Sequence, residues 1–279
     1  MAADLGVRVR EIVRGGDIQR VRASVRRYAE LLQIISARTL KTRYRGSVLG
    51  VYWSLSNPII MTGVYAVIFG AAFRPYYGNS LVKYGLATFA GLAMLNFFSA
   101  SSSQALTSVV VNGSLLNRVR LPMSVFPVSV VTANLFQFMV GTFPALCLIT
   151  LFSTHRILNI AALVVPSIAL ILVSVGFSLV TSALYVFFRD LPYMYELVIF
   201  IIWISSPIFY PASLVQPGVR PLLAFNPIIY IVESVRQIAT TPSPPDVQLM
   251  LASLASGIVC FSVGTIVFLS LRKSFMDLL

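Results

Sequence analysis

Charge is what this sequence has least of. Only 11% of its 279 residues are Asp, Glu, Lys or Arg, while 57% are hydrophobic and the mean hydropathy is +0.86. A water-soluble chain carries ~25% charged residues, so the shortfall excludes a soluble domain as the bulk of the protein. Cysteine is scarce too: Cys147 and Cys260 both lie inside apolar runs, which fits buried thiols and not a disulfide framework. The single histidine, His155, cannot build a metal site alone. No G-x-x-x-x-G-K-[ST] loop occurs, so nothing here can cradle the phosphates of a nucleotide. Hydrolytic, redox and nucleotide-driven chemistry by this chain itself are all disfavoured.

What is present is hydrophobic length. Six apolar runs fall at about 48–73, 84–106, 124–152, 160–187, 194–210 and 248–270, and a bilayer-crossing helix needs ~20 such residues. Eleven Lys/Arg residues precede position 46, and no Asp, Glu, Lys or Arg follows until Arg74. The net charge of +12 is therefore a topology signal and not a nucleic-acid patch, because basic residues hold a cytoplasmic end in place. With six spans and the N-terminus inside, the inner segments hold sixteen Lys/Arg and the outer loops five (Arg74, Lys83, Arg156, Arg220 and Arg236). The expectation is an all-α polytopic protein of the cytoplasmic membrane with six transmembrane helices and both termini cytoplasmic. Residues 1–45 form a basic arm and 46–279 the transmembrane domain. A cleavable leader is not expected, since the first apolar run begins too far from the N-terminus.

Within the arm, Val25, Tyr28, Leu31, Leu32 and Ile35 recur at three- and four-residue spacing, opposite Arg26, Arg27, Glu30, Gln33 and Arg38. That pattern predicts an amphipathic interface helix of roughly five turns, lying flat on the inner membrane surface among lipid headgroups or docking a partner. Gly46 and Gly50 invite a helix-dimer reading, but their place at the membrane edge suits a bend better. The fifth run is broken by Pro207 and Pro211, and Pro217, Gly218, Pro221 and Pro227 follow. Proline removes a backbone donor, and non-helical backbone at membrane depth is tolerated only when buried or lining a cavity. Residues 207–240 are thus expected to form short, re-entrant outer pieces.

Transport is the default function for such a chain, and its power source has to come from elsewhere. Five of the six runs lack any Asp, Glu, Lys or Arg, and Glu196 sits at the inner edge of the fifth, so a proton or sodium relay is not expected. The inner loop between the second and third runs reads Asn112-Gly-Ser-Leu-Leu-Asn-Arg-Val-Arg-Leu-Pro122. Leu115, Leu116 and Val119 offer an apolar edge, and Arg118 and Arg120 offer charge, which suits the groove of a separate ATPase.

Four stretches then resemble one family. Arg38-Thr-Leu-Lys41-Thr-Arg43-Tyr44-Arg-Gly-Ser47-Val-Leu49-Gly50-Val-Tyr-Trp53 with Asn57-Pro58; Leu116 to Pro122 with Pro127; Phe188-Arg189-Asp190; and Ser206-Pro207-Ile-Phe-Tyr210 with Asn226-Pro227 are similar to the ordered motifs of ABC-2 type permeases. The subgroup they resemble is the bacterial exporters of O-antigen, teichoic acid and related cell-surface polysaccharides. Thr39 departs from it, standing where the family commonly has an acidic residue.

The resemblance implies a homodimer, each protomer paired with a nucleotide-binding subunit that carries ATP and magnesium, this chain binding no cofactor. It implies that the N-terminal helix (Arg38, Lys41, Arg43) and the loop with Leu115, Leu116, Arg118 and Arg120 receive the ATPase's motion. It places an outer gate at Pro207, Tyr210, Pro211, Asn226 and Pro227, and a lipid-linked glycan in a conduit between protomers. A sugar polymer needs weak, repeated contacts, so Tyr52, Trp53, Phe97 and Phe98, with Ser99 to Ser103, are the candidate lining. Aromatic belts and small-residue packing offer a structural alternative for the same residues. Two other functions stay open: an exporter of a lipid or small hydrophobic molecule, and a membrane scaffold for a cytosolic complex.

Overall fold

The computed structural model describes residues 25–116, 121–211, 214–216, 218–219, 223 and 225–275. Among them there is no β-strand, as expected where backbone polar groups have to be satisfied without water. Residues 25–43 form α1. There follow α2 (Trp53–Phe73), α3 (Leu81–Leu106) and two short helices, α4 (Ser108–Val111) and α5 (Gly113–Leu116). The next span is α6 (Val125–Gln137), a π-helical segment Phe138–Thr142, and α7 (Phe143–Thr154). Then come α8 (Ile157–Ala162), α9 (Val164–Phe187), α10 (Leu191–Ser205), α11 (Pro227–Thr240) and α12 (Val247–Leu271). The arm before residue 25 lies outside the described residues.

Five helical stretches, Gly50–Tyr77, Leu81–Leu106, Val125–Thr154, Ile157–Phe187 and Val247–Leu271, are long and apolar enough to cross a membrane. The chain is thus a multi-pass membrane protein. The fifth apolar run, expected to span like the other five, is not among these stretches. Its helix, α10, has 15 residues, about 22 Å at 1.5 Å per residue, short of the ~30 Å hydrocarbon core. It stops because Ser206 precedes Pro207 and takes extended backbone, ψ 127°, the conformation that a following proline ring favours.

The central element is α3, two-thirds of whose apolar window is buried, against 11% for α2. Its Phe89 to Phe98 stretch packs with Phe138, Leu146, Leu170 and Val173, and with Ile208, Ile228, Ile231, Val232, Val235 and Ile238. The α9–α12 pair is held backbone to backbone. A Cβ on Gly257 would lie 2.9 Å from the Ala169 carbonyl oxygen, and one on Gly264 would overlap the Gly176 backbone. Small residues allow this approach, which drives helix association in lipid. A second cluster, Val109, Phe126, Leu179, Ala183, Val186, Phe268 and Phe275, joins α4 to the ends of α6, α9 and α12 nearest α1 and to the residues just after α12.

The amphipathic pattern of α1 is real but is used for docking. Tyr28 Oη and Ser124 Oγ are hydrogen-bonded at 3.2 Å, Ser36 Oγ donates to the Ser129 carbonyl at 3.0 Å, and Arg43 reaches Asn134 and Gln137. These contacts advance along both helices in the same sense, so α1 runs alongside α6 and does not lie free on a lipid surface. Burial there pushes the Tyr28 phenol above its ordinary value, against the opposing Ser124 hydrogen bond. Val25 and Ile34 stay exposed. Gly46 and Gly50 both have left-handed backbone, φ 78° and 49°, and nothing lies within 4 Å of where their Cβ atoms would be. They are a bend, required by conformation and not by close packing.

Candidate functional site: a carboxamide-lined cleft

The first three apolar runs contain five Asn or Gln residues: Asn57, Asn96, Gln104, Asn134 and Gln137. The fold brings all five to one cleft of about 330 Å³ between α2, α3 and α6, with Ser54, Ser99, Ser103, Phe97, Phe138 and Thr142 also on its walls. A carboxamide in hydrocarbon without a partner loses several kcal/mol, roughly, so the clustering needs a physical reason. Part of it is mutual satisfaction. Asn96 Nδ2 donates to Asn57 Oδ1 at 3.3 Å, and Asn134 Nδ2 donates to Gln104 Oε1 at 3.2 Å and to the Val130 carbonyl at 3.1 Å.

Arg43 holds three of these amides from the α1 side. Its Nη1 donates to Asn134 Oδ1 at 2.8 Å and Gln137 Oε1 at 2.9 Å, and its Nη2 donates to Gln104 Oε1. A guanidinium suits this position because its planar fork serves several acceptors at once. Its partners here are all neutral, unlike the Arg26–Glu30 ion pair on α1.

The π-helical segment shapes the wall. One extra residue in the turn shifts the helix register, a distortion common at functional positions. It brings Gln137, Phe138 and Thr142 to the cleft and sets Gly141 against α2, where a Cβ would lie 2.6 Å from Ser54 Oγ. A side chain there would force the Ser54 hydroxyl to turn away, since the nearest backbone atom, the Val51 carbonyl oxygen, lies 3.7 Å off.

The residues expected from sequence to line a conduit do not all meet. Phe97 lines the cleft and packs on Phe138, ring centroids 5.2 Å apart. Phe98 points the other way, 1% exposed and against Phe177. Tyr52 and Trp53 are exposed at 60% and 56%, on the same poorly covered helix face or its approach as Ile60 and Val67. Ser99 and Ser103 line the cleft, whereas Ser101 and Ser102 are buried; Ser102 Oγ is hydrogen-bonded to Tyr195 Oη at 2.7 Å.

Of the expected coupling residues, Arg38 and Lys41 are exposed on α1, and Arg43 reaches Asn134, Gln137 and Gln104, which line the cleft. Leu115 is half-buried against the cluster containing Phe126. Leu116 ends α5, and Arg118 and Arg120 lie outside the described residues. A second cavity of about 430 Å³ separates α1 from the start of α6, with Arg38, Thr42, Arg43, Asn112 and Leu115 among its walls.

At the far end, the expected gate residues do gather. Asn226 caps α11: its Oδ1 accepts from the Ile228 amide at 3.0 Å, with Pro227 in the first turn, the placement each residue favours. Asn226 Nδ2 also donates to Ser205 Oγ at 2.8 Å, Ser206 Oγ at 3.0 Å and the Ile202 carbonyl at 3.3 Å. Tyr210 Oη donates to the Ile204 carbonyl at 3.0 Å. Pro207 and Pro211 bound the non-helical, bent stretch between them. Sequence reasoning passed over the carboxamides and Tyr84; the amides were visible as polar residues in runs otherwise free of them.

The ABC-2 type transporter family pattern matches residues 30–240, a stretch that contains α2 to α11 and the whole cleft. Among curated proteins, the chain is 28% identical over 252 residues to the O-antigen export system permease protein RfbA of Myxococcus xanthus. It is 26% and 25% identical to two proteins of the same name from Klebsiella pneumoniae. Each alignment covers 90% of this chain and 95% of the relative. On the family match, the chain belongs to the ABC-2 type transporter family.

Proposed function

We propose that this chain is the transmembrane subunit of an ATP-driven exporter that moves a lipid-linked cell-surface polysaccharide outward across the cytoplasmic membrane. The observation that carries the reading is the cleft: five carboxamides, two serine hydroxyls and a serine beside the π-helical turn on one wall system. Neutral amides and hydroxyls exchange hydrogen bonds with sugar hydroxyls without fixing any one of them, which a moving polymer requires. The names of the relatives support the same cargo class.

The cleft is open along α2, whose apolar window is only 11% buried. A second copy of the chain closes it, so that the conduit lies between protomers, with Tyr52 and Trp53 at its inner mouth. The α1 end is cytoplasmic, following the basic arm. The fifth span is completed by α10 and the non-helical residues 206–211, giving six spans with both termini inside. The short helix α11 is re-entrant: Ser256 Oγ, nine residues into α12 and about 14 Å along it, donates to the Pro227 carbonyl, while Asn159, beside the far-end loop, donates to the Ile238 carbonyl. The outer gate comprises Pro207, Tyr210, Pro211, Asn226 and Pro227.

Movement is supplied by a nucleotide-binding subunit docked on Arg38, Lys41 and the loop from Leu115 through Leu116 and Arg118 to Arg120. Arg43 links that surface to the cleft. Purification from native membranes in mild detergent tests the arrangement. A stoichiometric subunit bearing a phosphate-binding loop is the expected companion. Its reproducible absence from folded permease removes the ATP-driven reading and leaves a scaffold.

A further inference from the structure

The prolines of the fifth span suggest a hinge, yet the backbone between them is tied down at nearly every carbonyl. Arg236, on α11, donates through Nη2 to the Ile208 carbonyl at 2.9 Å and to the Pro207 carbonyl. Tyr84, on α3 and fully buried, donates to the Phe209 carbonyl at 3.0 Å. Asn226 holds Ile202, Ser205 and Ser206 from the other side. Side chains are held as well. Ile208 is buried against Gly91, where an added Cβ would lie 3.2 Å from it. Phe209 packs on Tyr65 and Trp203, centroids 3.9 and 5.9 Å away.

From this geometry we infer that Arg236 is a positioning residue: it fixes the broken end of α10 to α11 and α3, making residues 206–211 a rigid post and not a hinge. A helix that ends inside a membrane protein leaves carbonyl oxygens without amide partners, and there they have to be met by side-chain donors. Arginine meets two adjacent carbonyls from one nitrogen while its own Nε, enclosed and without a hydrogen-bond partner, stays out of solvent. An uncharged donor of the same length is not available among the amino acids, which is why a cation occupies a half-buried site at this depth. The inference rests on the export reading only in treating this segment as the conduit's outer end.

Hydrogen exchange on the permease with its ATPase in lipid nanodiscs reads the clamp directly. Arg236→Met is expected to speed exchange of the amides of residues 206 and 208–210 about tenfold or more, with α9 and α12 within about twofold of wild type. Arg236→Lys, which keeps a charged donor, restores part of the protection. Tyr84→Phe, a milder change, gives a smaller rise in the same place. Unchanged exchange at 206–210 in Arg236→Met overturns the inference, as does a rise spread equally through α9 and α12. The cargo does not enter this measurement, so a failure to carry glycan would count against the proposed function alone.

Discussion

Arg43 Nη1 donates to Asn134 Oδ1 at 2.8 Å across 91 positions of sequence, tying the arm that precedes the first span to the middle of α6. The same guanidinium serves Gln104 and Gln137, so three helices converge on one cation. Charge-assisted hydrogen bonds contribute about 1.5–3 kcal/mol each at most, net of water. Arg43→Ala should therefore destabilise the permease by about 2–4 kcal/mol and uncouple ATP hydrolysis from export. Arg43→Lys should recover less than half of that stability, because an ammonium lacks the fork. Chemical unfolding in detergent, alongside ATPase assays of the complex, checks both expectations.

The Asn57–Asn96 pair makes a cleaner test of the conduit. Removing one partner leaves the other without its amide, whereas replacing both is nearly neutral for stability. The double variant Asn57→Leu/Asn96→Leu should fold as well as wild type yet slow glycan export about tenfold. Export measured at unchanged ATPase activity would assign the pair to cargo. Loss of thermal stability in the double variant would make it a packing contact.

Trp53→Ala should slow export more than basal ATP hydrolysis, since the ring is 56% exposed and few contacts hold it. Equal loss of both rates would indicate a structural ring.

The glycines of the α9–α12 contact predict a stability pattern. Gly264→Ala places a methyl onto the Gly176 backbone, which cannot move aside as a side chain can, and should cost about 2 kcal/mol or more. Gly63→Ala, in a helix with nothing within 4 Å of the added atom, should be neutral or stabilise by about 0.5–1 kcal/mol. Comparing midpoints of unfolding for the two variants decides it.

At the proposed docking surface, Leu116→Asp together with Arg118→Glu should detach the ATPase while leaving the membrane fold intact. Normal-strength binding by the doubly substituted permease would move the contact elsewhere.

The helical class, the membrane-spanning runs and the break at Pro207 were legible because bilayer length, charge asymmetry and proline sterics are one-dimensional signals. Pro227 reads in sequence as one more break and not as the start of a 14-residue helix, although the cap and first-turn preferences of Asn226-Pro227 act within a few residues. The cleft was not legible. Its walls come from residues 54 to 142, and which face each helix turns toward the others depends on packing that no local pattern records. Phe97 and Phe98 show this well, adjacent in sequence and facing opposite environments. Nor did the amphipathic face of α1 reveal its occupant; a stripe of Tyr28, Leu31 and Ile35 suits lipid or protein equally, and only contacts such as Tyr28 with Ser124 choose between them. Arg236 looked like a loop charge, because its acceptors are carbonyls 28 and 29 positions away.

The central claim is that the carboxamide cleft carries glycan at the expense of ATP. The most direct measurement reconstitutes the permease with its ATPase in vesicles loaded with a fluorescent lipid-linked oligosaccharide and follows its passage across the bilayer. The account predicts passage that requires ATP and falls about tenfold in the Asn57→Leu/Asn96→Leu variant. Passage at the wild-type rate in that variant, or equal passage of a lipid lacking the sugar, would contradict it.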